Sequence, residues 1–445
     1  MMHRLFAFIV LTASLATTLP ARAEEAPQGT WQTTAALTTT RGAAGVIEVN
    51  GRIYAIGGID GLRFLRSSEY TTIQADGTLA PWQASTALNE DRGFFGIVAH
   101  NGFVYAIGGG NGANGHNLLR SVERAELLDD GGLGPWQTET EQLNLPRRCA
   151  KVVALDGYLY AFGGFGGSLL DTVERARIQT DGSLASWEIL PEHFTIPRYI
   201  HAMAEAGGAL YAVGGHSEEG GTGIADVESA ILQTDGNLSQ WHKSAPLNQG
   251  RYGLSALTHS GYVYALGGLN GATFSDAIER SRINADGSLA PWQTVAPLPV
   301  PFADIGVVTY RDWLYVIGGT NRDGYYDSVF VTRFDDINDA TATKYTTQAP
   351  APSKPVLMPN EGIVLQVIDG GAYIYVEIDI GEGNHEWLAA AQSDIKSGDY
   401  VRYSLGIFME NFYSKTLQRT FGLIRFVGKL QKISVAEIHR QQSSE

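Results

Sequence analysis

Residues 41–58 read RGAAGVIEVNGRIYAIGG: an apolar run, an Asn50-Gly51 pair, and a second apolar run closing on Gly57-Gly58. Asn-Gly between two hydrophobic runs predicts a two-residue hairpin turn. The unbroken IYAI predicts a strand buried on both faces, and the glycines end it where a side chain would clash or a positive φ is required. The stretch leaves Arg41 unexplained, a charge standing ahead of an apolar strand. The Gly-Gly pair recurs at 57, 108, 163, 214, 267 and 318, with spacings of 51, 55, 51, 53 and 51 residues. A period near fifty marks one supersecondary unit repeated.

Each copy carries the same parts. IYAIGG, VYAIGG, LYAFGG, LYAVGG, VYALGG and LYVIGG follow turns at Asn50-Gly51, Asn101-Gly102, Asp156-Gly157, Gly207-Gly208, Ser260-Gly261 and, as a variant, Arg311-Asp312. A third strand alternates polar and apolar residues (SVERAEL, TVERARI, DVESAIL, AIERSRI), and an ADGTLAPW-type turn leads to a fourth that opens on Trp. Six tryptophans mark that fourth strand: Trp31, Trp82, Trp136, Trp187, Trp241 and Trp292. Trp31 precedes the first unit, whereas the sixth unit, ending near VFVTRFDD, lacks a Trp strand of its own. GTWQTTAAL is therefore expected to complete the last unit and close the array into a ring, removing its free edges. The fold class is all-β: a six-bladed β-propeller closed by an N-terminal strand, followed by a small β-barrel.

A leading Arg, an apolar strand, a Y-x-x-GG element and a later Trp make this repeat resemble that of the kelch family, over roughly residues 29 to 345 in six copies. The resemblance implies a six-bladed kelch propeller and leaves function open, since propellers host binding modules and enzymes alike.

At 445 residues the chain has room for such a ring and a second small domain, and 53 glycines with 18% charged residues suit many short strands and tight turns. Residues 1–23 (MMHRLFAFIVLTASLATTLPARA) read as a signal peptide cleaved after Ala23, with a basic start, an apolar run from Leu5 to Leu19 and an A-x-A site. Localisation is thus expected to be periplasmic or secreted, with no integral membrane segment after signal removal. Loss of Arg4 and Arg22 leaves 30 basic against 47 acidic residues, a net charge of −17, which argues against nucleic acid as a partner. Cys149 is the only cysteine and falls in a predicted strand, where it reads as a small buried hydrophobe.

Sixteen residues before each Gly-Gly stand Arg41, Arg92, Arg147, Arg198 and Arg251, with Phe302 in the sixth repeat. Ring closure places these six around one mouth of the central channel. Tyr199, His201 and Tyr252 adjoin them, together with Arg148. The loops after Gly-Gly add Asp60, Arg63, Asn111, His116, Phe165, His216, Glu218, Asn270, Asn321, Arg322 and Tyr325. Guanidinium and aromatic groups in an acidic protein suit a carboxylate, a phosphate or an anionic sugar. The kelch resemblance implies acidic peptides at this face, with the ring arginines as contacts. An Arg wanted once per repeat is equally explained as a structural tie, and Phe302 is the position that favours a guest. His116, His201 and His216 read as loop or packing histidines; no metal site and no cofactor are expected.

Enzymatic readings rest on the same positions. The galactose-oxidase type of kelch enzyme needs a Cys–Tyr cross-link beside copper, for which Cys149 lacks a nearby His pair. A propeller of the N-acetylneuraminate epimerase type, acting on an anionic sugar, is similar in architecture but lacks the ADGTLAPW element. Its acid or base would be Glu218, His201 or Asp304. Glu123-Arg124, Glu174-Arg175 and Glu279-Arg280 on third strands are expected to form inter-blade salt bridges.

Residues 346–360 are proline-rich and read as a linker between a propeller at 24–345 and a barrel at 361–435, with a polar tail at 436–445. Strands at GIVLQVI, AYIYVEI, EWLAAA, DYVRYSL and GLIRFVG predict a five-stranded OB-like barrel. Through GGAYIYVEI, EWLAAA and FMENFYSKTLQRTF it resembles a small periplasmic module found beside nitrite-reducing cytochromes. Met409, Asn411, Phe412, Ser414, Lys415, Thr416, Arg419 and Thr420 are its candidate surface. Met358, His385 and Met409 could form a soft metal site, but packing is the expected role for both methionines. The leading expectation is an exported binding or scaffold protein whose propeller mouth takes an anionic ligand or the acidic peptide of a partner. The alternative is a carbohydrate-active epimerase or lyase.

Overall fold

The computed structural model describes residues 31–338 and 361–433, apart from 62, 113–114, 218–221, 272, 372, 381–383 and 405, and apart from the side chains of 406–408 and 410. The predicted signal peptide, linker and tail lie outside the described residues.

Residues 31–338 form six four-stranded antiparallel blades in a ring. Blade 1 is Gly45–Val49, Arg52–Ile56, Ser68–Thr72 and Gln83–Ser85, and blades 2 to 5 repeat that order. Blade 6 takes Gly306–Tyr310, Trp313–Ile317 and Val329–Arg333 from one end of the propeller sequence and Gln32–Thr33 from the other, with Gln32 opposite Val331. The ring closes as the orphan Trp31 predicted. Second strands such as Ile53–Ile56 are buried almost completely, which is why they carry no polar alternation. A Cβ on Gly57 would stand 2.7 Å from the Arg92 carbonyl oxygen, and one on Gly58 2.8 Å from that of Gly42. The Gly-Gly pair is thus the seam along which the next blade is laid.

Two repeated bonds hold blade to blade. The second Gly of each pair donates its N–H to the carbonyl of the next ring position, from Gly58 to Arg92 through to Gly319 to Arg41. The strand-two tyrosine reaches the Asp-Gly turn of the next blade: Tyr54, Tyr105, Tyr160, Tyr211 and Tyr315 donate to the carbonyls of Gly131, Gly182, Gly236, Gly287 and Gly77 at 2.7–2.9 Å. Blade 6 has no such turn, because its fourth strand comes from the N-terminal side. A short helix, Phe334–Asn338, stands in its place, with Asn338 on the Tyr264 hydroxyl and Phe334 stacked on His259 at 3.7 Å.

Residues 361–433 form one seven-stranded sheet from Glu361–Asp369, Tyr373–Asp379, His385–Ala391, Tyr400–Tyr403, Gly406–Ser414, Arg419–Val427 and Leu430–Ile433. The lateral order is fifth, sixth, third, second, first, fourth, seventh. The third and sixth run parallel, with Leu388 opposite Arg425. Five strands were expected. The added ones are Leu430–Ile433 and Gly406–Ser414, which follows the fourth after two residues and forms a hairpin with the sixth inside the FMENFYSKTLQRTF block. Val364, Val376, Leu388 and Val401 lie in one buried cluster, Tyr375, Phe421 and Ile424 in another. Met409 is 43% exposed rather than packed, and Met358 lies outside the described residues.

Candidate functional site

The five ring arginines do not line an open mouth. Arg41 is 2% exposed and Arg92, Arg147, Arg198 and Arg251 are 0%. Each donates through Nη1 to the carbonyl of the first Gly sixteen residues on, from Arg41 to Gly57 at 2.6 Å through Arg251 to Gly267 at 2.7 Å. Each also meets a buried third-strand carboxylate of its own blade: Glu69, Glu123, Glu174, Glu228 and Glu279, at 2.6–3.3 Å. The same carboxylates accept the backbone N–H of Thr38, Asn89, Asn144, Thr195 and Asn248, so one network pins the loop that enters each blade. Burial lowers the pKa of Arg41, Arg147, Arg198 and Arg251 while the carboxylates oppose it, and a guanidinium stays charged throughout. Two expectations change. The arginines are the blade's internal tie, and Glu123, Glu174 and Glu279 pair with them rather than across blades; Arg124 and Arg175 instead take Glu139 and Glu188.

Phe302 is explained in the same terms. The carboxylate position of blade 6 is Phe330, opposite Val316 as Glu69 is opposite Ala55. Phe302 lies 6.1 Å from Phe330 and edge-on to Tyr326 at 4.9 Å, and is 1% exposed. The break in the arginine series is thus balanced by a matching break in the glutamate series, and it no longer argues for a guest. His201 is 0% exposed, edge-on to Phe194 at 5.5 Å, and neither ring nitrogen has a partner among the described residues. Burial and the charge of Arg198 hold it well below the usual histidine range, so it is a neutral core residue.

What the structure does assemble at the mouth is an aromatic arc across blades 3 to 5. Arg148 lies over Phe165 at 5.5 Å; Phe165 meets Tyr199 at 5.9 Å, Tyr199 stacks on His216 at 5.3 Å, and His216 meets Tyr252 at 3.7 Å. The residues alternate between the loop entering strand one and the loop leaving strand two, and short bridges fix the pairs Arg148–Phe165 and Tyr199–His216. Tyr199 and Tyr252 are half-buried, Tyr252 donating to the Gly271 carbonyl at 2.8 Å. Burial lowers His216 below its ordinary value, leaving a neutral ring within the stack. His116 is exposed nearby; Glu218 lies outside the described residues.

Behind the arc the channel narrows to a throat. Two residues after each ring position the backbone turns left-handed, at Ala43, Phe94, Cys149, Ile200, Gly253 and Asp304, with φ between 50° and 63°. Amide-to-carbonyl bonds run around the axis from Ala43 to Asp304, Phe94 to Ala43, Cys149 to Phe94, Gly253 to Ile200 and Asp304 to Gly253. A β-branched residue such as Ile200 adopts this conformation only when its surroundings impose it. Cys149 belongs to this throat rather than to a strand, and burial pushes its thiol up to about 12, so it is unreactive. Below lie a cavity of about 50 Å³ and a deeper one of about 220 Å³, sharing Ala44, Phe95, Lys151, Ser255 and Ile305. Sequence reading missed Lys151. The signal was present: the first residue of the inner strand is Gly45, Gly96, Ala202, Ser255 or Gly306 in the other blades, and a charge only here. No group of His, Cys, Asp and Glu suited to a metal occurs among the described residues.

Comparison with known proteins agrees with this architecture. A kelch motif matches residues 146–175. The camelpox virus kelch repeat and BTB domain-containing protein 1 is 25% identical over 191 residues, 42% of this chain and 32% of that protein. Human kelch-like protein 13 is 41% identical over 78 residues, 17% and 12%. The repeats form a kelch propeller. This chain matches about a third or less of the length of those relatives. The solved structure of YjhT covers 68% of this chain and 97% of its own at a TM-score of 0.55 and 16% identity, a likeness of fold alone. Kelch propellers commonly serve as protein-binding scaffolds.

Proposed function

We propose that this is an exported binding protein whose kelch propeller seats an acidic peptide of a partner at its mouth, on the arc Arg148, Phe165, Tyr199, His216 and Tyr252. The arc carries the reading. It is a continuous aromatic shelf with a guanidinium at one end, held by backbone bridges rather than by mobile side chains, and such a shelf provides contact area at little ordering cost. Export rests on the signal-like residues 1–23, and N-terminal sequencing of the secreted chain should begin at Glu24. The mouth is tested by panning a displayed peptide library on the full chain. Acidic, aromatic-rich sequences should be enriched, and the triple change Arg148→Ala, Tyr199→Ala, Tyr252→Ala should weaken them at least about tenfold, as loss of aromatic anchors and an Arg predicts. Absence of enrichment, or full binding by the variant, refutes the reading.

For residues 361–433 we propose an OB-like barrel that supplies a second contact. The pairing order and the one parallel pair support the barrel, since the fourth and fifth strands are nearly continuous and pair with the first and sixth, carrying the sheet back on itself. Tyr373, Trp387, Phe412 and Phe426, with Arg419 over Trp387 at 4.5 Å, support the contact. The epimerase or lyase alternative has one observation in its favour: Asp304, a carboxyl in the channel whose burial raises it to about 6, suited to acid–base work.

A further inference from the structure

The channel holds two charged groups that the mouth reading does not use. Lys151, from blade 3, and Asp304, from blade 6, come from blades three apart in a ring of six, on opposite sides of the axis. Both line the smaller cavity, whose other walls are Ala43, Ala44, Phe94, Cys149, Ile200 and similar residues. Lys151 also lines the deeper cavity, so its side chain stands where the two meet. No carboxylate lies within ion-pair distance of its ammonium among the described residues. Each is the only charged residue its repeat position carries in six blades. Glycine, alanine and serine at the positions equivalent to Lys151 keep the level around its side chain open.

We propose that the channel binds a small carboxylate, such as acetate or a like-sized monoanion, between the Lys151 ammonium and the protonated Asp304 carboxyl. The ammonium supplies the charge and the neutral carboxyl donates a hydrogen bond to the second oxygen of the guest, in surroundings where both bonds are strong. A simple Lys–Asp pair would hold the Asp304 carboxyl below its ordinary value. Burial instead outweighs the attraction of Lys151 and raises it to about 6, and burial likewise lowers Lys151. Of the other titratable groups facing the pair, Cys149 is pushed up to about 12 and Tyr252 and Tyr325 are raised by burial, while the Arg148 guanidinium, a fixed charge, stands beside Cys149. His201, behind Lys151, is held neutral; Glu205 borders only the deeper cavity, where its carboxylate accepts the Gly208 amide. Above about pH 6 the Asp304 anion takes Lys151 for itself and repels the guest, so affinity falls as pH rises. None of the arc residues lines these cavities, so failure of peptide binding at the mouth leaves this site standing, and the reverse.

The test is calorimetric titration of the full chain with acetate at about pH 5 and about pH 8, on either side of the Asp304 value, with methylammonium as a control. The wild type should bind at least about tenfold more tightly at the lower pH, Lys151→Met should lose binding at both, and Asp304→Asn should bind with no pH dependence, its amide still donating. Equal affinity at the two pH values, no heat with acetate, or unchanged binding by Lys151→Met overturns the proposal. Should Lys151→Met fail to fold, the wild-type comparison and Asp304→Asn decide by themselves.

Discussion

Blades 1 to 5 and blade 6 solve one structural problem with opposite chemistry. In the first five, a buried guanidinium and a buried carboxylate fasten the loop entering the blade to its third strand, and in the sixth Phe302 and Phe330 fill the same two positions with rings. Removing two charges from water is expensive, and the polar solution holds because each group finds further bonds: the Arg to two carbonyls, the Glu to a loop amide. The aromatic solution needs no such partners. A residue type repeated around a ring is thus no sign of a ligand until its counterpart position has been read beside it.

Breaking one half of a polar tie should give the largest effect. Arg147→Met leaves Glu174, 0% exposed, without its counter-ion, and the expected loss is about 3–5 kcal/mol in urea unfolding. Blade 6 also departs from the others in the throat, where Asp304 replaces Ala43, Phe94, Cys149, Ile200 and Gly253. Its carboxyl is raised from 3.8 to about 6, so between those values the folded chain holds a proton that the unfolded chain has released. Stability from this group therefore falls as pH rises from about 4 to about 6, by at most about 3 kcal/mol, and Asp304→Asn should flatten that part of the pH–stability curve. Replacing both halves of a tie should matter less than either. Arg251→Phe with Glu279→Phe copies blade 6 into blade 5, and about 1 kcal/mol or less should be lost, since a buried pair is often exchanged for apolar residues at little cost. A double variant as unstable as the single ones would show that the Phe302–Phe330 solution depends on its own surroundings, Tyr326 above all.

The ring itself was legible from the period, the Gly-Gly seam and the displaced Trp31, because each is a local demand made once per blade. The meaning of Arg41 was not, since its partner Glu69 is 28 residues away and belongs to a third strand whose register no single repeat reveals. Phe302 misled for the same reason: its compensation sits at Phe330, and only pairing shows the two together. Tyr199, Tyr252, Phe165 and His216 were placed at the mouth from loop position alone, but their stacking needs the ring to bring blades 3, 4 and 5 side by side. Lys151 was hidden by its own strand, KVVAL, which reads as an ordinary inner strand until the other five first positions are set beside it. In the second domain, Gly406–Ser414 follows Tyr400–Tyr403 so closely that one strand was expected where two pair with different neighbours.

The tyrosine ties offer a further contrast, and its Tyr264 side carries the smallest expected loss. Tyr315 donates to the Gly77 carbonyl in a fully buried bond, at a turn so tight that a Cβ on Gly77 would stand 2.4 Å from the Trp313 ring. Tyr315→Phe leaves that carbonyl without a partner and without room for water, so about 1–3 kcal/mol should be lost. Tyr264 faces Asn338 instead, at the end of the Phe334–Asn338 helix, where the amide is half-buried and water can replace the lost hydroxyl. Tyr264→Phe should therefore lose only about 0.5 kcal/mol in the same unfolding measurement. Equal losses at the two positions would mean that the helix seals blade 6 as tightly as an Asp-Gly turn seals the others; a smaller loss at Tyr264 makes this the blade from which the ring begins to open.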